Sequence, residues 1–374
     1  MQRSAVIELN RRLIQHVLAD TTDEAPGTLS APASIFLDRE RWLRERELFF
    51  LATPQVIGFA GQVAQPGSYL TVEVLNTPIV VTRADDGVLR AFINACAHRG
   101  ARVADGCGNK KRLTCGFHGW SYALDGKLAG RPQDAAFDVA DANCNLLELP
   151  VSDRAGLLVV GLRNNIDRQS VEHMLDDIAP AFAGFDFERM HTLETQRFEV
   201  AANWKLVVNL SHEGYHFATL HRTTLAPLMT GHSTFDEFGR HTRWAFPLRG
   251  IERLNDIDES EWPALPLAVM SHTIFPGTVI VVSHNDAQMI RVEPGASPDT
   301  SVIYYSGVCA DPARFEESRE SYRFGGDIFG REDLRAALEC QQGLAAGRPC
   351  IIIGRNEPIV QFWHRSWNAA LIDR

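Results

Sequence analysis

The 374-residue sequence has no run of eighteen apolar residues, so no membrane-spanning helix is expected. Seven cysteines are too few for a disulfide scaffold in a chain of this length. A formal net charge of −10 leaves no basic excess for nucleic acid or an anionic membrane surface as main partner. No G-x-G-x-x-G follows a strand-like run, so no nicotinamide site is expected, and no plant-type ferredoxin C-x₄-C-x₂-C run occurs. Internal repeats and low-complexity segments are missing as well. The opening stretch, MQRSAVIELNRRLIQHVLAD, is amphipathic and lacks an apolar core of signal length. A cytoplasmic protein with free thiols is the expectation.

The length suits two domains, and 45% hydrophobic residues are enough to give each a core. Residues 1–20 and 36–50 read as helices. From Val56 the pattern turns to short strands, VIGFAG, SYLTVEV, PIVVTRA and LRAFIN, which end with AGLLVVGL near residue 163. An acidic helix is expected around EHMLDDIAPAF. Beyond it TVIVVSH, DAQMIRVEP and TSVIYYSGVC alternate with period two, and GREDLRAALECQQGLAAG reads as a helix with Glu332 and Asp333 in its first turn. The expected fold class is α+β, a small all-β domain plus a larger domain with helices on an antiparallel sheet. The expected divisions are 1–50 for the N-terminal helices packing on the larger domain, 51–163 for the all-β domain and 164–374 for the larger one.

Chemistry concentrates in two stretches. In NACAHRGARVADGCGNKKRLTCGFHGW, Cys96 and His98 form C-x-H, and Cys115 and His118 form C-x-x-H after sixteen intervening residues. Tetrahedral zinc and a [2Fe–2S] cluster both accept two thiolates and two imidazoles. A zinc finger pairs like ligands, whereas each turn here carries one of each kind, which favours the cluster. Gly100, Gly116 and Gly119 leave room for backbone N–H groups to approach sulfur. Lys110, Lys111 and Arg112 between the turns form a solvated loop tip or a docking point for an acidic electron donor.

The second stretch is H212-E-G-Y-H216-F-A-T-L-H221. Its first five residues satisfy H-E-x-x-H, a zinc-protease pattern with Glu213 as base. The competing reading is a 2-His-1-carboxylate iron site. A hydrolase has no use for the electrons of an iron–sulfur centre, whereas an oxygenase needs them. On a regular helix His216 and His221 would diverge by about 140°, so the iron reading requires the helix to end, bend or bulge between them.

The sequence C96-A-H98-R-G … C115-G-F-H118-G-W120 resembles the alpha subunit of the Rieske non-haem iron oxygenases, the ring-hydroxylating oxygenase family. The stretches Asn203-Trp204-Lys205 and Glu213-x-x-His216-x₄-His221 carry the likeness into the second half; Ala97, Gly116, Val208 and Leu210 depart from it. The resemblance implies a Rieske cluster with Cys96 and Cys115 on one iron and His98 and His118 on the other. It implies a mononuclear Fe(II) held by His216, His221 and Asp333, with Glu332 the competitor for the third place. It makes Glu213 a catalytic bridge between His118 of one subunit and His216 of the next in a homotrimer, and Asn209 a polar residue of the same motif. It also implies electrons from NAD(P)H through a ferredoxin and/or flavin reductase, with a small beta subunit as an option.

The function so implied is a terminal oxygenase component that hydroxylates an aromatic substrate with O₂. The alternative is a Rieske-type N- or O-demethylating monooxygenase. A non-oxygenase electron-transfer or interaction protein is disfavoured because all three expected iron ligands are present. Asn209, Tyr215, His272, Phe275, Ile280 and Phe324 are weak candidates for a substrate pocket, and no role is assigned to His272 or His284.

Overall fold

A computed structural model describes residues 1–163, 165–283 and 285–372; His284 lies outside the described residues. The chain forms two compact units, Phe50–Asp176 with Asp186–Thr192, and Met1–Phe49 with Asp177–Phe185 and Leu193–Arg374.

The first unit is a set of small antiparallel sheets. Ser68–Val74, Thr77–Arg83 and Leu89–Ile93 pair in succession, joined by the Leu75-Asn76 and Asp85–Val88 turns. Leu75 and Asn76 both take positive φ, as a two-residue hairpin turn requires. A three-stranded sheet, Arg112–Thr114, Ser121–Ala123 and Leu128–Gly130, carries the second Cys/His turn. The core beneath holds Val80, Phe92, Leu113, Trp120 and Tyr122, and both Cys96 and Cys115 belong to it. These cysteines are therefore fixed by hydrophobic packing before any ligand binds.

The second unit is built on a seven-stranded sheet. In spatial order its strands are His191–Val200, Ser301–Cys309, Asp286–Pro294, Thr278–Val282, Ala268–Ile274, His241–Pro247 and Thr234–Phe238. The pairings from Thr234 to Cys309 are antiparallel meanders. Period two survives in Ser301–Cys309, but Asp286–Pro294 is buried on almost every residue, as befits a central strand covered on both faces. The helix Phe315–Ile328 lies on the sheet. A Cβ at Gly325 would come within 2.6 Å of the Tyr305 hydroxyl, so glycine permits the close approach there.

Three local expectations change. The stretch 36–50 is broken into Ser34–Leu37, Arg39–Glu45 and a π-turn from Arg46, with Asp38 capping the middle piece through the Arg41 N–H. The acidic helix is two short pieces, Arg168–His173 and Ala179–Phe182, the latter with Pro180 in its first turn. The tail helix does not begin at Gly330. Phe315–Ile328 runs into a π-turn, Phe329–Asp333, which continues as Leu334–Ala345, and a further helix, Pro358–Ile372, follows.

Candidate functional site

The two Cys/His turns of the first unit repeat one backbone design. The Cys96 N–H donates to Ala101 O (2.8 Å) and the Gly100 N–H to Cys96 O (2.8 Å); the Cys115 N–H donates to Trp120 O (2.9 Å) and the Gly119 N–H to Cys115 O (3.0 Å). Gly100 and Gly119 both have φ of 75°, which closes each turn; Gly116 has ordinary φ. The imidazoles of His98 and His118 come together with ring centroids 4.5 Å apart. His98 stacks on Trp120 at 5.2 Å, and its buried Nδ1 has no hydrogen-bond partner among the described residues. Burial, with His118 and Arg99 nearby, lowers the His98 pKa and favours the neutral, ligating ring. The Tyr122 hydroxyl accepts the Ala97 N–H (3.0 Å) and lies 3.2 Å from Cys96 Sγ. Two buried thiols, a vacant buried ring nitrogen and a second imidazole beside it fit a mixed S/N cluster.

The second unit gathers His216, His221 and Asp333. One donor atom from each lies within 4.8 Å of the others. His221 Nε2 and His216 Nε2 are 3.2 and 3.8 Å from Asp333 Oδ1. Donors about 2 Å from a shared ion and at right angles lie roughly 3 Å apart, so the three fit one metal. The chain makes this possible by leaving the helix. Trp204–Asn209 stops, residues 210–228 form successive turns, and the His216 and His221 rings meet at 4.8 Å despite their five-residue step. Asp333 arrives from 112 residues away on the π-turn, where i→i+5 pairing widens the helix.

The other nitrogens of the same rings are also held by carboxylates. Glu213 takes His216 Nδ1 with one oxygen and the His216 N–H (3.1 Å) with the other. Glu332 Oε2 lies 2.7 Å from His221 Nδ1 and also accepts from the Thr224 hydroxyl at 3.1 Å. Such partners fix the ring orientation and raise ligand basicity. Burial lowers the His221 pKa, but Asp333 and Glu332 outweigh it and the net shift is upward. Three carboxylates on two imidazoles make the pocket strongly cation-attracting.

His212 does not join them. It is fully buried, stacks on Trp363 at 5.5 Å, and puts Nε2 2.9 Å from the Thr273 hydroxyl. Burial pushes its pKa down to about 3. The H-E-x-x-H string is therefore not a zinc pair here: its two histidines face different neighbours. Asn209 Nδ2 lies 3.1 Å from His364 Nε2, and Asn209 is not among the residues lining the adjacent cavity.

That cavity, of about 260 Å³, is bounded by His216, His221 and Asp333 on one side. Phe217, Trp244 and Phe246 form an aromatic wall, with ring centroids 4.5–5.9 Å apart. Its polar groups, besides the three iron-site residues, include Ser283, Asp286, Gln288 and Ser321. Of the six weak pocket candidates, Phe324 alone lines it; Tyr215 is 73% exposed elsewhere, and His272, Phe275 and Ile280 are buried in the fold.

Residues 53–148 match the Rieske [2Fe-2S] domain, and residues 187–372 match the ring hydroxylating alpha subunit (catalytic domain). The carnitine monooxygenase oxygenase subunit of Acinetobacter baumannii is 31% identical over 336 residues, 84% of each chain. The chain belongs to the Rieske non-haem iron oxygenase family. The glycine betaine monooxygenase oxygenase subunit of Chromohalobacter salexigens is 29% identical over 219 residues; the match covers 58% of this chain and about half (49%) of that relative. The toluate 1,2-dioxygenase alpha subunit of Pseudomonas putida is 30% identical over 53% of this chain and 46% of its own. Among solved structures, a quaternary ammonium Rieske monooxygenase in complex with L-carnitine superposes with a TM-score of 0.75 at 22% identity, covering 94% of this chain and 97% of that one. A Rhodococcus sp. naphthalene 1,2-dioxygenase bound to indole gives 0.72 at 18%, covering 98% of each. Both share the fold.

As a family member the chain is a Rieske-type non-haem iron oxygenase with a [2Fe–2S] cluster and a mononuclear iron. Among the described residues no helix is long and apolar enough to cross a membrane. Sequence reasoning missed Glu332 on His221, Tyr122 on Cys96 and Asp286 in the cavity. Only Glu332 left a signal, as an acid beside the expected ligand.

Proposed function

We propose that the protein is the terminal component of a monooxygenase that hydroxylates a methyl group on a methylated ammonium nitrogen. The carbinol then loses formaldehyde, so that R–N(CH₃)₃⁺ + O₂ + 2e⁻ + 2H⁺ gives R–NH(CH₃)₂⁺ + CH₂O + H₂O. The observation that carries this reading is the carnitine monooxygenase match over 84% of both chains, against 46% of the relative for the aromatic dioxygenase. The alternative expectation thus displaces aromatic hydroxylation as the leading one.

In this reading Cys96, His98, Cys115 and His118 hold the cluster, and His216, His221 and Asp333 hold Fe(II). When bound, the cluster supplies electrons singly and the iron activates O₂. The chain's own residues orient and shield. Glu213 and Glu332 set the imidazole rings, and the apolar cavity wall keeps bulk water from the methyl group under attack. The electrons come from NAD(P)H through a ferredoxin and/or flavin reductase. The catalytic unit is a homotrimer in which Glu213 carries the coupling from His118 of one subunit to His216 of the next. Glu213→Gln then retains both metal centres but slows reoxidation of the prereduced cluster in single turnover at least tenfold; an unchanged rate rejects the bridge.

Turnover with a reductase system under ¹⁸O₂ tests the main reading. Methylated amines should release formaldehyde in step with NAD(P)H and O₂ consumption. Two labelled oxygens in a ring diol, with no formaldehyde, would restore aromatic dihydroxylation.

A further inference from the structure

Asp286 opens the central strand Asp286–Pro294 and reaches the cavity wall, where it is 6% exposed. Ser283 Oγ donates to its Oδ1 at 2.9 Å, and Ser321 lines the same cavity. Among the described residues it has no ion-pair partner. Arg314, the cation that acts on it from a distance, is itself paired with Glu317 and does not line the cavity. Burial raises the Asp286 pKa, as expected for a carboxyl group without a counter-charge. Buried carboxylates are normally paired or bound to a cation. The Ser283 hydroxyl leaves lone pairs of this one free to face a ligand.

The rest of the lining agrees. Among the described residues lining the cavity, Asp286 is the one acid besides Asp333, and none is Lys or Arg. The wall of Phe217, Trp244 and Phe246 presents aromatic rings, whose faces attract quaternary cations. Apart from the iron site, a carboxylate-bearing substrate would meet no Lys or Arg among the described lining residues, and Asp286 would repel it.

We infer that Asp286 is the residue that selects a cationic methylammonium headgroup, and that the preferred substrates lack a carboxylate of their own. This deepens the N-demethylation reading and rests on it. It also separates this chain from relatives named for the zwitterions carnitine and glycine betaine.

Isothermal titration of the metal-loaded enzyme, without O₂, tests the inference with three probes. These are choline, its uncharged carbon isostere 3,3-dimethylbutan-1-ol, and glycine betaine. Choline should bind about thirtyfold or more tightly than either of the others, the scale of one desolvated charge pair. Asp286→Asn should erase the difference between choline and the isostere with cluster absorbance unchanged, and Asp286→Glu should keep part of it. A choline preference that survives Asp286→Asn overturns the role of Asp286 while leaving N-demethylation intact. Choline no better than its isostere, or heat from neither, overturns the cationic pocket. Glycine betaine equal to choline overturns the exclusion of carboxylates and needs no variant to fold. The formaldehyde assay above then reports separately whether N-demethylation itself stands.

Discussion

At the scale of single residues, neighbouring acids divide the labour around His221. Asp333 faces Nε2 and Glu332 faces Nδ1, so adjacent carboxylates are placed to act as ligand and as ring support in the proposed iron site. Asp333→Ala should remove the mononuclear iron and abolish turnover, with the cluster spectrum unchanged. Glu332→Gln should keep the iron but weaken its binding about 10–100-fold, as measured by chelator competition. If Glu332→Gln strips the iron and Asp333→Ala does not, the ligand assignment is reversed. In the other unit, Tyr122 is fully buried, and burial raises its pKa so that the hydroxyl keeps its proton for Cys96 Sγ. A hydrogen bond to sulfur stabilises the reduced, more negative cluster. Losing about 1 kcal/mol of it corresponds to about 40 mV for one electron. Tyr122→Phe should lower the cluster potential by that order in voltammetry; a potential that stays put or rises would contradict the bond.

At the scale of elements, what was legible in the sequence was whatever is written locally. The C-x-H and C-x-x-H turns, the period-two strands and the opening helix, Arg3–Ala19, depend on neighbours within a few positions. Even the break between His216 and His221 was legible, because a regular helix cannot bring the two rings together. The tail was not. Asp333 resembles a first-turn acid, yet it sits in a π-turn inside a longer helical run, which local composition does not announce. The support Glu332 gives His221, and the place of Asp286, were hidden for a related reason. One finds its partner 111 residues away, and the other looks like an ordinary first residue of an alternating strand.

A buried pair ties two helices of the second unit together. Glu45 of Arg39–Glu45 bonds Lys205 Nζ and the Trp204 indole N–H (3.1 Å), both on Trp204–Asn209, and takes Arg41 Nε at 2.7 Å. Both Lys205 and Glu45 are fully buried. Lys205→Met should destabilise the protein by about 3 kcal/mol in denaturant titration, the low end for stranding a buried charge because Arg41 remains. Adding Glu45→Leu should recover much of that loss. If the double variant is no more stable than the single one, packing rather than stranded charge sets the cost.

At the scale of the whole molecule, acid should be the solvent condition this fold resists least. His212, His272 and His364 are all buried in the second unit, and burial lowers each pKa to about 3. Their unfolded value is about 6.5. Between these limits the unfolded chain binds protons that the folded chain does not, so stability rises with pH. The contribution is fully present above pH 6.5 and is lost as pH falls toward 3. Three such groups give a slope of about 4 kcal/mol per pH unit. Against a typical total of about 5–15 kcal/mol, that is a large share of the stability within two pH units. His221 opposes the trend when no metal is bound, since its pKa is raised, so the measurement belongs on the metal-loaded protein. His272 offers the cleanest control because its ring packs beside Phe182 and Phe185, at 5.0 and 6.1 Å, where another aromatic ring can sit. His272→Phe should remove one of the protons taken up on unfolding and reduce the slope by about 1.4 kcal/mol per pH unit, read from denaturant midpoints between pH 5 and pH 7. If the slope is the same in both proteins, His272 is already protonated in the fold and the buried neutral histidines do not govern acid stability.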